Sequence, residues 1–126
     1  MGHAGRPQTA GEVAVVERLR GITRSLPEVV QVHDGFGHAT FRVGKRSFAI
    51  IGAQDDTVYL SLKTDLITQD ALVRRGPWMR APYIGQHGWI TVVVAPTLDW
   101  KEVAELVVEG YRLAAPKRLV RLLDAG

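Results

Sequence analysis

The stretch His38-Ala39-Thr40-Phe41-Arg42-Val43-Gly44-Lys45-Arg46-Ser47-Phe48-Ala49-Ile50-Ile51 alternates apolar and polar side chains up to a glycine and continues the pattern beyond it. Successive side chains of a strand point to opposite faces, so Ala39, Phe41 and Val43 share one face while His38, Thr40 and Arg42 share the other. A two-residue turn at Gly44-Lys45 predicts a hairpin in which Phe41 pairs with Phe48 and Ala39 with Ile50. The sheet containing it has one apolar and one polar side, and only the apolar side calls for a covering layer.

Outward from the hairpin the punctuation is regular. Thr9 followed by Glu12 is a capping-box pattern, and Val13, Val16, Leu19 and Ile22 recur at helical spacing, predicting a helix over 10–25 that ends before Pro27. Val29 to His33 reads as a short strand, and Asp34-Gly35-Phe36-Gly37 as a turn. After Asp55-Asp56, the apolar residues Val58, Leu60 and Leu62 alternate with Thr57, Tyr59, Ser61 and Lys63, the pattern of a half-buried strand. Leu66, Ile67, Leu72 and Val73 fit a looser helix over 65–75, stopped by Gly76-Pro77. Residues 76–88 read as an irregular loop holding Trp78, Tyr83 and His87, and 89–95 as a strand. Asp99 caps the clearest helix, with Trp100, Val103, Ala104, Val107, Tyr111 and Ala114 on one stripe. Pro116 opens a final short helix with Lys117, Arg118 and Arg121 outward and Leu119, Leu122 and Leu123 partly inward.

These elements predict an α+β protein with a single, mostly antiparallel sheet and helices packed on one face, in the order helix, four strands, helix, strand, two helices. The expected organisation is a disordered tail over 1–8 and one domain over 9–126. The uncovered face should present His38, Thr40, Arg42, Tyr59, Ser61, Lys63, Trp89 and Thr91, a mixture of cationic, aromatic and hydroxyl groups able to meet a ligand.

The 126 residues are 46% hydrophobic and 23% charged, an ordinary balance for one globular domain. No run approaches the roughly 18 apolar residues of a membrane span. Met1 to Pro7 lack the layout of a secretory signal, so a cytoplasmic setting is expected, and a monomer. Without cysteine there is no disulfide framework, thiolate nucleophile or zinc knuckle. His33, His38 and His87 have no metal-ligand spacing, so no metal or cofactor is expected. Ser47 and Ser61 lack a nucleophile-elbow context, and Arg42 and Lys63 beside His38 read better as solvation of the sheet than as acid-base machinery, so the chain reads as non-enzymatic. The net charge of +3 arises wholly within residues 1–50, a modest excess compatible with a local basic patch.

Three segments carry a resemblance: Phe36-Gly37-His38-Ala39-Thr40-Phe41-Arg42-Val43, Ala81-Pro82-Tyr83-Ile84-Gly85-Gln86-His87-Gly88-Trp89, and Tyr111-Arg112-Leu113-Ala114-Ala115-Pro116-Lys117-Arg118. Together they resemble the MmcQ/YjbR family of small bacterial proteins, over roughly Glu12 to Leu123. The resemblance implies a compact α+β fold of frataxin-like architecture and a proposed double-wing DNA-binding role. In that role the hairpin tip Lys45-Arg46, with Arg42 behind it, contacts phosphates, and Lys63, Lys117, Arg118 and Arg121 extend the footprint. Glu102, Glu105 and Glu109 on the long helix would repel a phosphate approaching that side. The alternative is a small-molecule pocket between the polar sheet face and the 76–89 loop, with His38, Tyr83, His87 and Trp89 orienting a planar or anionic ligand. A protein-interaction surface built on the loop's aromatics is a third possibility.

Overall fold

The computed structural model describes residues 8–125; the tail expected over 1–8 lies outside them apart from Gln8. The chain runs α1 (Ala10–Thr23), β1 (Val29–His33), β2 (Ala39–Val43), β3 (Arg46–Gln54), β4 (Thr57–Lys63), α2 (Leu66–Arg75), β5 (Met79–Arg80), β6 (Trp89–Val93), α3 (Trp100–Ala114) and α4 (Lys117–Ala125). The strands form one six-stranded antiparallel sheet ordered β1-β2-β3-β4-β6-β5. The α+β architecture expected from the sequence is therefore present, with one addition. Met79–Arg80 is a two-residue edge strand inside the segment expected to be loop, pairing Met79 with Thr91 and Arg80 with Ile90.

Local chemistry sets the helix starts. Thr9 Oγ1 accepts the Glu12 amide at 3.1 Å while Glu12 Oε1 accepts the Thr9 amide at 2.9 Å, the reciprocal box that satisfies two otherwise orphaned donors. Asp65 and Asp99 cap α2 and α3 in the same spirit. Helix α1 stops at Thr23, two residues before the expected end, where the Thr23 hydroxyl donates to the Leu19 carbonyl at 2.8 Å. Strand β6 ends at Val93 rather than Ala95.

The hairpin differs from its sequence reading in one decisive way. Gly44-Lys45 is the turn, with Val43 opposite Arg46, but Arg42 then pairs with Ser47 and Phe41 with Ala49, so Phe48 is an extra residue inserted in β3. This β-bulge shifts every later partner by one: Ala39 faces Ile51, not Ile50, and Phe41 faces Ala49, not Phe48. Phe48, Ala49 and Ile51 are all buried, while Ile50 turns half-exposed to the opposite face.

The apolar face packs against α1 and α3 to form one core in which Val15, Val16 and Leu19 meet Phe41, Ile51, Leu60, Leu62, Val103 and Val107. Burying each of the large side chains contributes about 1.5–3 kcal/mol relative to exposure. Tyr111 stands edge-on to Phe48 with ring centroids 5.8 Å apart, and its hydroxyl donates to the Pro27 carbonyl at 2.8 Å, tying α3 to the start of β1. Gly110 lets α3 lie close on β3 and β4, since a Cβ there would lie 2.8 Å from the Lys63 carbonyl oxygen. Among the described residues no helix is long and apolar enough to cross a membrane.

Candidate functional site

The face opposite the helices carries a cleft of about 640 Å³ between the sheet and the 79–84 segment. Its floor is one row across the sheet: Ile50 pairs with Ser61, Ser61 with Thr91, and Thr91 with Met79. Ser61 Oγ donates to Thr91 Oγ1 at 3.0 Å, so these hydroxyls hold each other in place. On one side lies His38. A Cβ at Gly52 would fall 2.6 Å from the imidazole, so the ring can rest against the sheet only because position 52 is glycine.

Asp34 fixes the His38 ring. Its Oδ1 accepts the amides of Phe36 (2.8 Å) and His38 (2.9 Å), and its Oδ2 accepts the His38 Nδ1 proton at 3.1 Å. Burial pushes the Asp34 carboxyl upward, but the two amides and the imidazole outweigh it and hold the group below the ordinary aspartate value. With Nδ1 committed, Nε2 is the imidazole's remaining polar atom.

On the other side, the Pro82 carbonyl accepts the Ile84 amide at 2.7 Å, with Tyr83 between them at φ 66°. That is a γ-turn of the strained, positive-φ kind, and it leaves the Tyr83 ring 95% exposed at the mouth of the cleft. Arg80 lies across Gly85, where a Cβ would come 2.5 Å from its Cγ. The base of this wall is anchored by Glu102 on α3, which accepts both Arg75 guanidinium N–H groups (2.6 and 2.7 Å) and the indole N–H of the fully buried Trp78 at 3.1 Å.

The Arg75 guanidinium holds the Glu102 carboxyl below its ordinary value, against the upward push of burial and with help from Trp78. A depressed carboxylate stabilises the fold above its unfolded pKa, and the contribution disappears as pH falls through the folded pKa. Glu102→Gln is therefore expected to cost about 1 kcal/mol at neutral pH, discounted for the half-exposed arginine, and to cost progressively less below about pH 4. Urea melts of both proteins across that range check it; a pH-independent difference would remove the ion pair from the account.

The second cluster lies at the sheet end that carries the β2–β3 turn. Val29 pairs with Val43, which places Glu28 beside Gly44-Lys45 at that end. Arg118 makes a two-pronged ion pair with Glu28 (3.0 and 3.1 Å), docking α4 there as well. Lys45, Arg46, Lys117 and Arg121 are exposed at this end with no carboxylate partner among the described residues. Arg42 is half-buried with its Nε on Thr40 Oγ1 at 3.3 Å, and the Lys63 ammonium donates to the His87 carbonyl. Burial, then the Arg46 charge, lowers the Lys63 pKa, with Asp65 opposing.

The YjbR family model matches residues 24–113. The chain belongs to the YjbR family. A crystal structure of the Deinococcus radiodurans protein DR2400, described with the family-model domain DUF419, superposes with a TM-score of 0.71 at 24% identity, covering 86% of this chain and 87% of that one. At that identity the likeness shows the fold. No curated protein matches the sequence significantly.

Within this YjbR fold, the residues singled out from the sequence separate into two groups. His38 and Tyr83 line the cleft, but His87 and Trp89 do not. Trp89 is only 8% exposed, at the start of β6, where its carbonyl accepts from Gln69 (2.9 Å) and the Ala81 amide (3.1 Å), and His87 is engaged through its carbonyl in a single 3-10 turn, Gly85–His87. The cleft residues missed by the sequence reading include Ile50, Gly52, Met79 and Arg80. Gly52 inside a strand was the one available signal, because an interior strand glycine marks a close approach. Of the basic set, Arg118 is held by Glu28 and Lys63 by the backbone. Glu102, expected to repel phosphate, is neutralised by Arg75. Glu109 remains exposed beside Asp65 in a groove on the α2–α3 side.

Proposed function

We propose that this YjbR protein binds duplex DNA through its phosphates at the basic sheet end, the role the family resemblance implies. The observation that carries the proposal is the Arg118–Glu28 ion pair, which seats α4 beside the hairpin tip so that Lys45, Arg46, Lys117 and Arg121 share one end of the molecule. These side chains belong to the turn of a hairpin and to a helix docked by leucines, so they offer a semi-rigid cationic footprint suited to phosphates. Approach is from the hairpin tip and the start of α4, where Glu28 is already paired with Arg118. Binding is then independent of sequence, and its strength depends on salt through counterion release.

Four phosphate contacts give a log–log salt slope of about −3.5, so a roughly fourfold rise in salt weakens binding by about a hundredfold. In an anisotropy titration of duplex DNA, replacing Lys45 and Arg46 together by alanine should make the slope shallower by about 2 and weaken all sequences alike. A wild-type slope near zero, or one that the double substitution leaves unchanged, would refute the proposal.

A further inference from the structure

The cleft on the open face is separate from the basic sheet end and asks for a different ligand. About 640 Å³ lies within the span of small-molecule sites, which are usually concave, mostly apolar, and furnished with a few fixed polar groups. Here the apolar part comes from Ile50, Met79 and Ile84, and the rings of Tyr59, Tyr83 and His38 stand around it. The polar part is small and held in place: the Ser61–Thr91 hydroxyl pair in the floor, the imidazole clamped by Asp34 in the side, and Arg80 in the opposite wall.

Charge decides the ligand class. No carboxylate lines the cleft, whereas Arg80 does, and it has no carboxylate partner among the described residues. The arginine stem lies along Gly85, which leaves the exposed guanidinium in the cleft wall open to an anion. Strain points the same way. Tyr83 occupies a backbone conformation that tyrosine ordinarily avoids, and the residue is almost wholly exposed, so no packing within the chain accounts for it. Such an outlier is accounted for when the ring closes over something. The floor is a sheet surface carrying Ile50, Ser61 and Thr91 in one row, against which a flat ring can lie.

We infer that this cleft binds a small planar aromatic acid, its ring between the Ile50–Tyr59 floor and Tyr83, its acid group on Arg80, and His38 Nε2 as a second polar contact. Asp34 is a positioning residue in this site: it does not line the cleft and acts by holding the imidazole.

Three probes of one shape separate the contributions: naphthoate, naphthylmethanol and naphthylmethylamine. In amide-resolved NMR titrations of the full chain, naphthoate should shift the amides of Gly52, Ser61, Tyr83 and Thr91, the alcohol should bind about tenfold more weakly, and the amine more weakly still. Arg80→Gln should bring naphthoate down to the level of the alcohol while leaving the alcohol unchanged. Should that variant fail to fold, the ranking of the three probes on the unmodified protein decides alone. Equal affinity for acid and amine overturns the assignment, as does the absence of shifts at millimolar probe. Naphthoate shifts centred on Lys45 and Lys117 overturn it too, because they would report nonspecific anion attraction. The Lys45/Arg46 double alanine variant, which tests DNA binding, should leave naphthoate affinity unchanged, so the two proposals fail separately.

Discussion

Gly88→Ala is expected to lower the unfolding free energy by about 4 kcal/mol, among the larger losses a single substitution produces. Gly88 sits at φ 95°, where a side chain is strained, and an added Cβ would lie 2.0 Å from the Thr64 carbonyl oxygen. Neither atom can yield cheaply, because the oxygen is backbone and a Cβ is fixed rigidly to its own backbone. The Gly88 carbonyl accepts the Thr64 amide at 3.1 Å and the Thr64 hydroxyl at 2.5 Å, and the Gly88 amide donates to the Gly85 carbonyl at 3.0 Å. The buried Gln69 amide clamps the same turn by donating to the carbonyls of Gly85 (2.7 Å) and Trp89 (2.9 Å). Displacing Gly88 thus disturbs the join between β4, α2 and β6, and with it the wall that holds Arg80 over Gly85. For a domain of this size the melting temperature should fall by about 15 °C. Gly21→Ala is the matched control: it lies in α1 with open space around its Cα, and the change should stabilise by about 0.5–1 kcal/mol. Thermal melts followed by circular dichroism give both values, and a Gly88→Ala loss under about 1 kcal/mol would mean that the turn is not held as described.

The parts of this fold that the sequence made legible are those where one physical rule acts alone. Thr57 to Lys63 alternates without exception, and the strand buries Val58, Leu60 and Leu62 as alternation demands. Thr9 with Glu12, and Asp99 before the Val103–Val107–Tyr111 stripe, mark helices whose caps and buried faces follow directly from spacing. The bulge was not legible, because Phe48-Ala49-Ile50-Ile51 contains no polar residue to report which face each member takes. Tertiary packing decides it: Phe48 has Tyr111 to pack against, and only the inserted residue lets Phe48, Ala49 and Ile51 all reach the core. The cleft was half legible. Alternation put His38, Ser61 and Thr91 on the open face, but its far wall depends on a two-residue strand created by pairing with β6, which no local pattern announces. Nearness in sequence suggests Trp89 and His87 for the site, whereas their backbone carbonyls accept from Gln69 and Lys63 and neither residue lines the cleft.

Ile50 and Ile51 turn the bulge into a measurement, since the uninterrupted hairpin and the bulged one exchange their roles. With Phe48 inserted, Ile51 faces Ala39 in the core at 0% exposure, and Ile50 stands half-exposed between Thr40 and Ser61 on the cleft floor. Ile51→Ala removes buried methyl and methylene groups from a packed interior and leaves a cavity among α1, α3 and the sheet, so it should cost about 3–4 kcal/mol. Ile50→Ala removes the same atoms from a surface that water already reaches, and it should cost about 1 kcal/mol or less. Denaturant midpoints at unchanged slope give the comparison directly. The reverse order would restore the simple pairing of Ala39 with Ile50 and turn Ile51 outward, which would dismantle the floor row on which the cleft is built. The expected order has a consequence for binding as well: Ile50→Ala keeps the fold while deepening the floor, so it should weaken both naphthoate and its alcohol, unlike Arg80→Gln, which should affect the acid alone.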